Sequence, residues 1–129
     1  MARVDERILV AEDEAAVSSM LRMVLEAHGF EVEVAASAAA ARKALAADRF
    51  DIVITDMRME SSTAGYEVAR AAAVQSNRPA VLILTGFPLL ASEWKKTGAH
   101  ALLQKPVEMT RLLACIRQLL QQRHGSPAT

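Results

Sequence analysis

The chain has 129 residues, of which 52% are hydrophobic, and its 15 basic and 15 acidic residues give a formal net charge of zero. This length and apolar content suit one compact domain with a buried core and exclude a disordered chain. Without a positive net charge or a long basic block, the sequence also predicts no direct contact with nucleic acid.

The cysteine content and the N-terminus indicate the compartment. The single Cys115 has no partner for an internal disulfide, which favours a reducing environment. Charged residues appear within the first seven positions, so we expect no signal peptide, and no stretch is apolar for long enough to span a membrane. We therefore expect a soluble, cytoplasmic protein without membrane contact.

The first elements alternate between strand and helix. Ile8 to Ala11 is a continuous apolar run, as in a strand buried on both faces. Apolar residues at helical spacing from Val17 to Leu25 predict a helix that Gly29 ends. Glu31 to Ala35 alternates polar and apolar residues, which indicates a strand at the sheet margin. Ser37 is predicted to cap an alanine-rich helix.

The alternation continues to the end of the chain. Strands are predicted over Phe50 to Asp56, Ala80 to Leu84 and His100 to Gln104. Helices are predicted over Tyr66 to Gln75 and Leu89 to Thr97, and the apolar face of the last helix runs from Met109 to Leu120. Residues 124–129 have the composition of a frayed tail. Five strand–helix pairs without a linker predict a single α/β domain over residues 1–129, with a mostly parallel sheet between helices.

Polar residues stand where four of the predicted strands end. Glu12 and Asp13 follow the first strand, Asp56 ends the third, Thr85 follows the fourth and Lys105 follows the fifth. Because the carboxyl ends of parallel strands share one edge of the sheet, these residues should converge in a crevice at that edge.

The chemistry of this set is coherent. Three carboxylates in one crevice oppose each other's ionisation, and a hard divalent cation such as Mg²⁺ would relieve the repulsion. An ammonium and a hydroxyl beside the same carboxylate could stabilise a phosphoryl group in transfer. The residues therefore predict a site at which an aspartate is phosphorylated.

Four blocks together resemble a known family. "ILVAEDE", "DIVITDMRM", "LILTG" and "LLQKP" are similar to the signature blocks of receiver domains from two-component response regulators, and the resemblance spans about Arg7 to Arg123. It implies a flavodoxin-like, doubly wound α/β fold whose five-stranded parallel sheet has the order 2-1-3-4-5, with five flanking helices. It also implies a stand-alone receiver similar to those of chemotaxis.

The resemblance implies a role for each residue at the strand ends. Asp56 would accept a phosphoryl group from a histidine kinase or a phosphotransfer protein. Thr85 and Lys105 would contact the phosphoryl oxygens, and the peptide bond before Pro106 would be cis. Asp13 and Asp56 would coordinate Mg²⁺ directly through their side chains, and Arg58 would do so through its backbone carbonyl. Glu12 would act through a water molecule.

The sequence departs from the receiver pattern at several places. "MESSTAG" lacks the proline that usually follows Met59, and this loop is slightly long. The fifth strand carries Leu102 where receivers usually have an aromatic residue that moves inward with the threonine. Arg58 occupies a position that tunes the lifetime of the phosphoryl group in relatives.

The resulting hypothesis is a phosphoacceptor switch without turnover of a separate substrate. A downstream protein would recognise it through the face formed by helix 4, strand 5 and helix 5, which could also form a homodimer. Only six residues follow Arg123, so no output domain is expected there. Two alternatives keep the fold: a pseudo-receiver that binds partners without phosphate, and a receiver fragment cut from a longer transcription regulator.

Two other classes fit the sequence less well. A phosphatase of the haloacid dehalogenase type would need an acid two residues after Asp56, where this chain has Arg58. A flavodoxin-like cofactor carrier would present hydrogen-bond donors in its first loop, where this chain has Glu12, Asp13 and Glu14.

Overall fold

Five strands form one sheet in a computed structural model that describes residues 6–124. The strands begin and end close to their predicted positions. In chain order they are β1 Arg7–Ala11, β2 Glu31–Ala35, β3 Ile52–Asp56, β4 Ala80–Thr85 and β5 Ala101–Gln104. The third strand begins two residues after its predicted start, because Phe50 is buried under the Arg7 guanidinium, 4.8 Å from its ring centroid, rather than paired in the sheet.

All strand pairs are parallel, and the order is β2-β1-β3-β4-β5, as the resemblance implies. The continuous apolar runs occupy the centre, where both faces of a strand are covered: every residue of β3 and β4 is buried. The alternating β2 lies at one margin, and β5 lies at the other. The prediction that β2 lies at the sheet margin is therefore confirmed.

Five helices connect and cover the strands: α1 Ala15–Ala27, α2 Ala38–Ala47, α3 Ala64–Ala73, α4 Ala91–Trp94 and α5 Met109–His124. Gly29 follows α1 with φ of +92°, a conformation that glycine adopts without steric cost. The predicted cap of α2 is confirmed, since Ser37 Oγ accepts a hydrogen bond from Ala40 N at 3.0 Å. The fourth helix is a single turn, and a 3₁₀ turn over Lys95–Thr97 extends it.

The helices form two layers because side chains alternate between the faces of a strand. Ile8 and Val10 of β1 pack in one core with α1 and α5, whereas Leu9 packs in the other with α2 and α3. This doubly wound arrangement leaves the carboxyl edge of the sheet open between the layers. The predicted tail begins inside α5 at His124, and residues 125–129 lie outside the described part of the chain.

Candidate functional site

Four strands deliver polar side chains to the same edge of the sheet. Glu12 and Asp13 directly follow β1, and Asp56 is the last residue of β3. Thr85 ends β4, and Lys105 follows β5. The convergence that the sequence predicts is therefore present, and it results from the parallel order of β1, β3, β4 and β5.

The three acids form a compact cluster. Glu12, Asp13 and Asp56 each offer a carboxylate oxygen, and these oxygens lie within 4.8 Å of one another. Glu12 is 2% exposed and Asp56 is 9% exposed, whereas Asp13 faces solvent. Two buried carboxylates at this separation repel each other strongly unless positive charge is supplied.

Lys105 supplies part of that charge. Its Nζ lies 2.8 Å from Asp56 Oδ1 and 3.7 Å from Glu12 Oε1. Burial alone would lower the pKa of Lys105, but the hydrogen bond to Asp56 and the nearby carboxylate charges outweigh burial and raise it. The backbone holds this lysine at the edge, since Lys105 N donates to Thr85 O at 2.7 Å. The following bond to Pro106 is cis, as the resemblance implies.

Only one of the two carboxylate oxygens of Glu12 accepts a hydrogen bond from the described residues. Its Oε2 accepts a hydrogen bond from Glu14 N at 3.1 Å, but the buried Oε1 has no hydrogen-bond partner among residues 6–124. Burial raises the pKa of Glu12, and the charge of Asp56 adds to this effect against the opposing Glu14 N–H. A buried oxygen without a partner, in a cluster of hard oxygen ligands, fits a divalent cation such as Mg²⁺.

A cavity of about 200 Å³ opens beside Asp56. Thr85 lines it, but the hydroxyl is engaged within its own loop: Oγ1 donates to Phe87 O at 3.0 Å and accepts from Phe87 N at 3.1 Å. Thr85 could therefore donate a hydrogen bond to a group bound on Asp56 only after its hydroxyl stops donating to Phe87 O.

Phe87 also belongs to this site, although the sequence did not indicate it. The guanidinium of Arg58 lies 4.2 Å from the centroid of its ring, and both side chains line the cavity. Phe87 is 51% exposed, which is unusual for an aromatic ring and places the stack at the mouth of the site. The "TGFP" turn in the sequence is the signal that could have indicated an aromatic residue at this site. Leu102, which stands where receivers usually have an aromatic residue, is partly buried and packs against the core.

Close backbone packing holds the loop that follows Asp56. Gly65 N donates to Met57 O at 2.8 Å, and a Cβ on Gly65 would lie only 2.8 Å from Asp56 O. This position tolerates no side chain without a shift of the backbone that carries Asp56. A glycine that the sequence places in a loop is therefore a requirement of the site.

The arrangement is suited to phosphoryl chemistry. It combines a partly buried carboxylate, an ammonium in contact with it, a hydroxyl on the cavity wall and an oxygen cluster able to hold a cation. The residues predicted from the sequence lie together, and the role of each one remains a prediction.

Comparison with known proteins agrees with this geometry. The family model described as the response regulator receiver domain matches residues 8–117. The transcriptional regulatory protein FixJ of Bradyrhizobium diazoefficiens is 35% identical over 117 residues, which are 89% of this chain and 57% of FixJ. A receiver domain protein from Clostridium thermocellum is 31% identical with a TM-score of 0.82, and the match covers 92% of this chain and 96% of that one.

A chemotaxis protein, CheY4 of Vibrio cholerae, superposes with a TM-score of 0.81 at 28% identity, and the match covers 90% of this chain and 99% of CheY4. The chain spans from 25% to 57% of the length of the first curated relatives that it matches. None of the helices between residues 6 and 124 combines the length and the apolar character that crossing a bilayer requires. The chain belongs to the response regulator receiver domain family, whose members act as phosphoacceptor switches in two-component signal transduction.

Proposed function

We propose that Asp56 is the phosphoacceptor of this receiver. The observation that carries the proposal is the Lys105 ammonium 2.8 Å from Asp56 Oδ1, at the edge of a buried acidic cluster. The ammonium occupies one oxygen of Asp56, and we assign the attack to Oδ2. Lys105 then remains beside the carboxylate and offsets the negative charge that a phosphoryl group brings.

The transfer replaces one N–P bond with one O–P bond. Oδ2 of Asp56 attacks the phosphorus of a phosphohistidine on a kinase or phosphotransfer protein. The new O–P bond forms as the donor's N–P bond breaks, and the histidine leaves with the electron pair and takes up a proton. Thr85 contributes its hydroxyl to a phosphoryl oxygen after releasing Phe87 O, which couples phosphorylation to movement of the loop after β4.

Mg²⁺ is the cofactor that we propose for this site. Asp13, Asp56 and the carbonyl of Arg58 would hold it directly, and Glu12 would hold it through water. The Glu12 Oε1 atom, which lacks a hydrogen bond among residues 6–124, and the oxygens within 4.8 Å of one another support this assignment. When bound, the ion would neutralise charge on the phosphoryl oxygens.

The partners follow from this chemistry. A histidine kinase or phosphotransfer protein would supply the phosphoryl group, and a downstream protein would recognise the face formed by α4, β5 and α5, which could also join two copies of the chain. The chain would turn over no separate substrate, since it catalyses only its own phosphorylation and dephosphorylation. The proposal includes no direct contact between this domain and nucleic acid, although relatives such as FixJ are transcriptional regulators. A cytoplasmic location matches such partners.

Two alternatives keep the receiver fold. A pseudo-receiver would keep the fold and lose phosphorylation, but the intact acids and Lys105 favour the active form. A receiver that is part of a longer regulator would be phosphorylated in the same way, and the greater length of the curated relatives is consistent with it.

Intact-mass measurement after incubation with acetyl phosphate and Mg²⁺ tests the proposal. We expect one phosphoryl adduct on the wild-type chain and none on Asp56→Asn, because an amide is not nucleophilic enough to attack phosphorus. EDTA should also abolish the adduct. An adduct that persists on Asp56→Asn would place the phosphoacceptor elsewhere, and a folded wild-type chain that forms none would support the pseudo-receiver.

A further inference from the structure

Glu60 docks the loop after β3 onto the start of α2. Its Oε1 accepts a hydrogen bond from Ala38 N at 2.9 Å, and its Oε2 accepts one from Ala39 N at 3.2 Å. The hydrogen bond from Ala38, aided by the one from Ala39, lowers the pKa of Glu60, so the side chain is a carboxylate at neutral pH. Each oxygen thus has its own backbone donor.

The helix depends on this contact. The first four N–H groups of an α-helix lack partners within the helix. In α2, Ser37 Oγ provides an acceptor for Ala40 N, and Glu60 provides those for Ala38 N and Ala39 N. The local cap alone would leave two donors to solvent, so a residue from another segment completes the start of the helix.

The same loop carries the backbone carbonyl that we assign to the cation. Its beginning is fixed, because Met57 N donates to Leu84 O at 2.8 Å and Gly65 N returns to Met57 O. Past Arg58, the partly buried Met59 packs against the core, and Glu60 then reaches α2. Glu60 stands where the receiver pattern has a proline, so two hydrogen bonds to a carboxylate take the place of a rigid ring.

The start of α2 also adjoins the acidic cluster. Glu12 N donates to Ala35 O, the last residue of β2, at 2.9 Å, and only two residues separate Ala35 from α2. The contact made by Glu60 therefore joins two segments that both border the site: the loop with the Arg58 carbonyl and the connection beside Glu12.

We infer that Glu60 is a positioning residue for the cation at this site, holding the loop after β3 so that the Arg58 carbonyl is available as a ligand. The inference rests on the proposed metal site, and it adds a residue that contacts neither the ion nor the phosphoryl group. Outer residues that orient ligands strengthen metal binding because the ligands then lose less freedom on binding.

Metal affinity of the unphosphorylated chain tests the inference. Mn²⁺ is titrated into the protein while the electron paramagnetic resonance signal of the free ion is followed, and Mg²⁺ is then added as a competitor. We expect Glu60→Ala to bind both ions about three- to tenfold more weakly than wild type, below the range for partners that contact a ligand directly.

Two further variants separate positioning from stability and from charge. Glu67→Ala removes the ion pair between Arg42 Nη1 and Glu67 Oε1, at 2.8 Å, which joins α2 to α3 away from the loop. It should leave the affinity unchanged. Glu60→Gln keeps a carbonyl acceptor but loses the charge, so its affinity should fall between those of wild type and Glu60→Ala.

The outcomes separate the inference from the proposal beneath it. Equal affinities for wild type and Glu60→Ala would overturn the inference and leave the metal site intact. A Glu60→Gln variant as weak as Glu60→Ala would also overturn it, because charge alone would then account for the loss. Failure of the folded wild type to bind Mn²⁺ or Mg²⁺ would instead refute the proposed metal site.

Discussion

The two edges of the sheet both collect charged residues, but they use them differently. At the amino edge, Arg7 lies 3.3 Å from Glu31 and 3.6 Å from Asp48, in pairs whose acids are at least half exposed. At the carboxyl edge, Glu12 and Asp56 are buried and share one lysine. The first arrangement costs little in solvation, whereas the second concentrates repulsion that Lys105 offsets only in part.

Hydrogen bonding sharpens the contrast. At the amino edge, Arg123 donates to the carbonyls of Asn77 and Arg78 and lies 3.7 Å from Asp51, whose second oxygen accepts from Arg7 N. These contacts close the far end of the domain around α5. At the carboxyl edge, Glu12 Oε1 stays without a hydrogen bond among the described residues. The buried Arg123 Nε at the amino edge also lacks a hydrogen bond, but that guanidinium donates through Nη1. Glu12 Oε1 instead belongs to a cluster of like charges, and this repulsion marks the carboxyl edge as the one suited to bind a cation.

The largest expected effect is on the rate of phosphorylation, and it should distinguish Lys105 at the carboxyl edge from Arg123 at the amino edge. Lys105→Met keeps the apolar stem and removes the ammonium, so we expect adduct formation with acetyl phosphate to slow about a hundredfold or more. Arg123→Met, the matched change at the amino edge, should lower the free energy of unfolding by about 1–2 kcal/mol and leave the rate of adduct formation unchanged. Rates come from intact mass and stabilities from urea denaturation.

A loss of phosphorylation in Arg123→Met equal to that in Lys105→Met would erase the distinction between the edges. A Lys105→Met variant that is phosphorylated at the wild-type rate would remove Lys105 from the mechanism.

The second prediction concerns the buried acid. Because burial raises the pKa of Glu12 above its ordinary value of 4.5, the folded chain binds this proton more tightly than the unfolded chain does. The stabilising contribution of the protonated Glu12 is therefore fully present below pH 4.5 and is lost as the pH rises through the raised pKa. In EDTA at neutral pH, Glu12→Gln should be about 1 kcal/mol more stable than wild type, and this advantage should disappear at acidic pH.

Urea denaturation between mildly acidic and neutral pH measures this difference. Glu33→Gln, which removes an exposed acid at the amino edge, serves as the control and should shift stability little at any pH. A wild type more stable than Glu12→Gln at neutral pH without metal would show that the buried carboxylate is already satisfied.

The smallest expected effect concerns the stack at the mouth of the cavity. Phe87→Ala removes the ring that holds Arg58, and water should then reach the phosphoryl group more easily. We expect the adduct to decay about two- to fivefold faster, in line with the strength of an exposed cation–π contact. Intact mass over time after removal of acetyl phosphate gives the decay rate. Phe87→Tyr keeps the ring and should match wild type, whereas a longer lifetime in Phe87→Ala would show that the stack does not shield the site.

Local pattern was sufficient for most of the architecture. Continuous apolar runs marked β1 and β4 within one residue of their ends, because strands buried on both faces admit few polar residues. The boundaries of α3 were less accurate: it begins at Ala64 rather than Tyr66, since the backbone of β3 accepts Gly65 at close range. The close contact between Gly65 and the backbone at Asp56 forms only when the two segments meet in the fold. It therefore leaves no periodic pattern of apolar residues in the sequence.

The identities of the acids and of Lys105 were evident from the sequence because each one ends or follows a strand, and parallel strands bring their ends together. Side-chain pairing between distant segments was not evident. Glu60 reaches Ala38 across 22 positions, Arg58 stacks on Phe87, and Thr85 turns toward its own loop instead of Asp56. Hydrophobic spacing records which face of an element is buried, whereas the partner of an exposed polar side chain depends on how loops approach one another, which only the folded chain specifies.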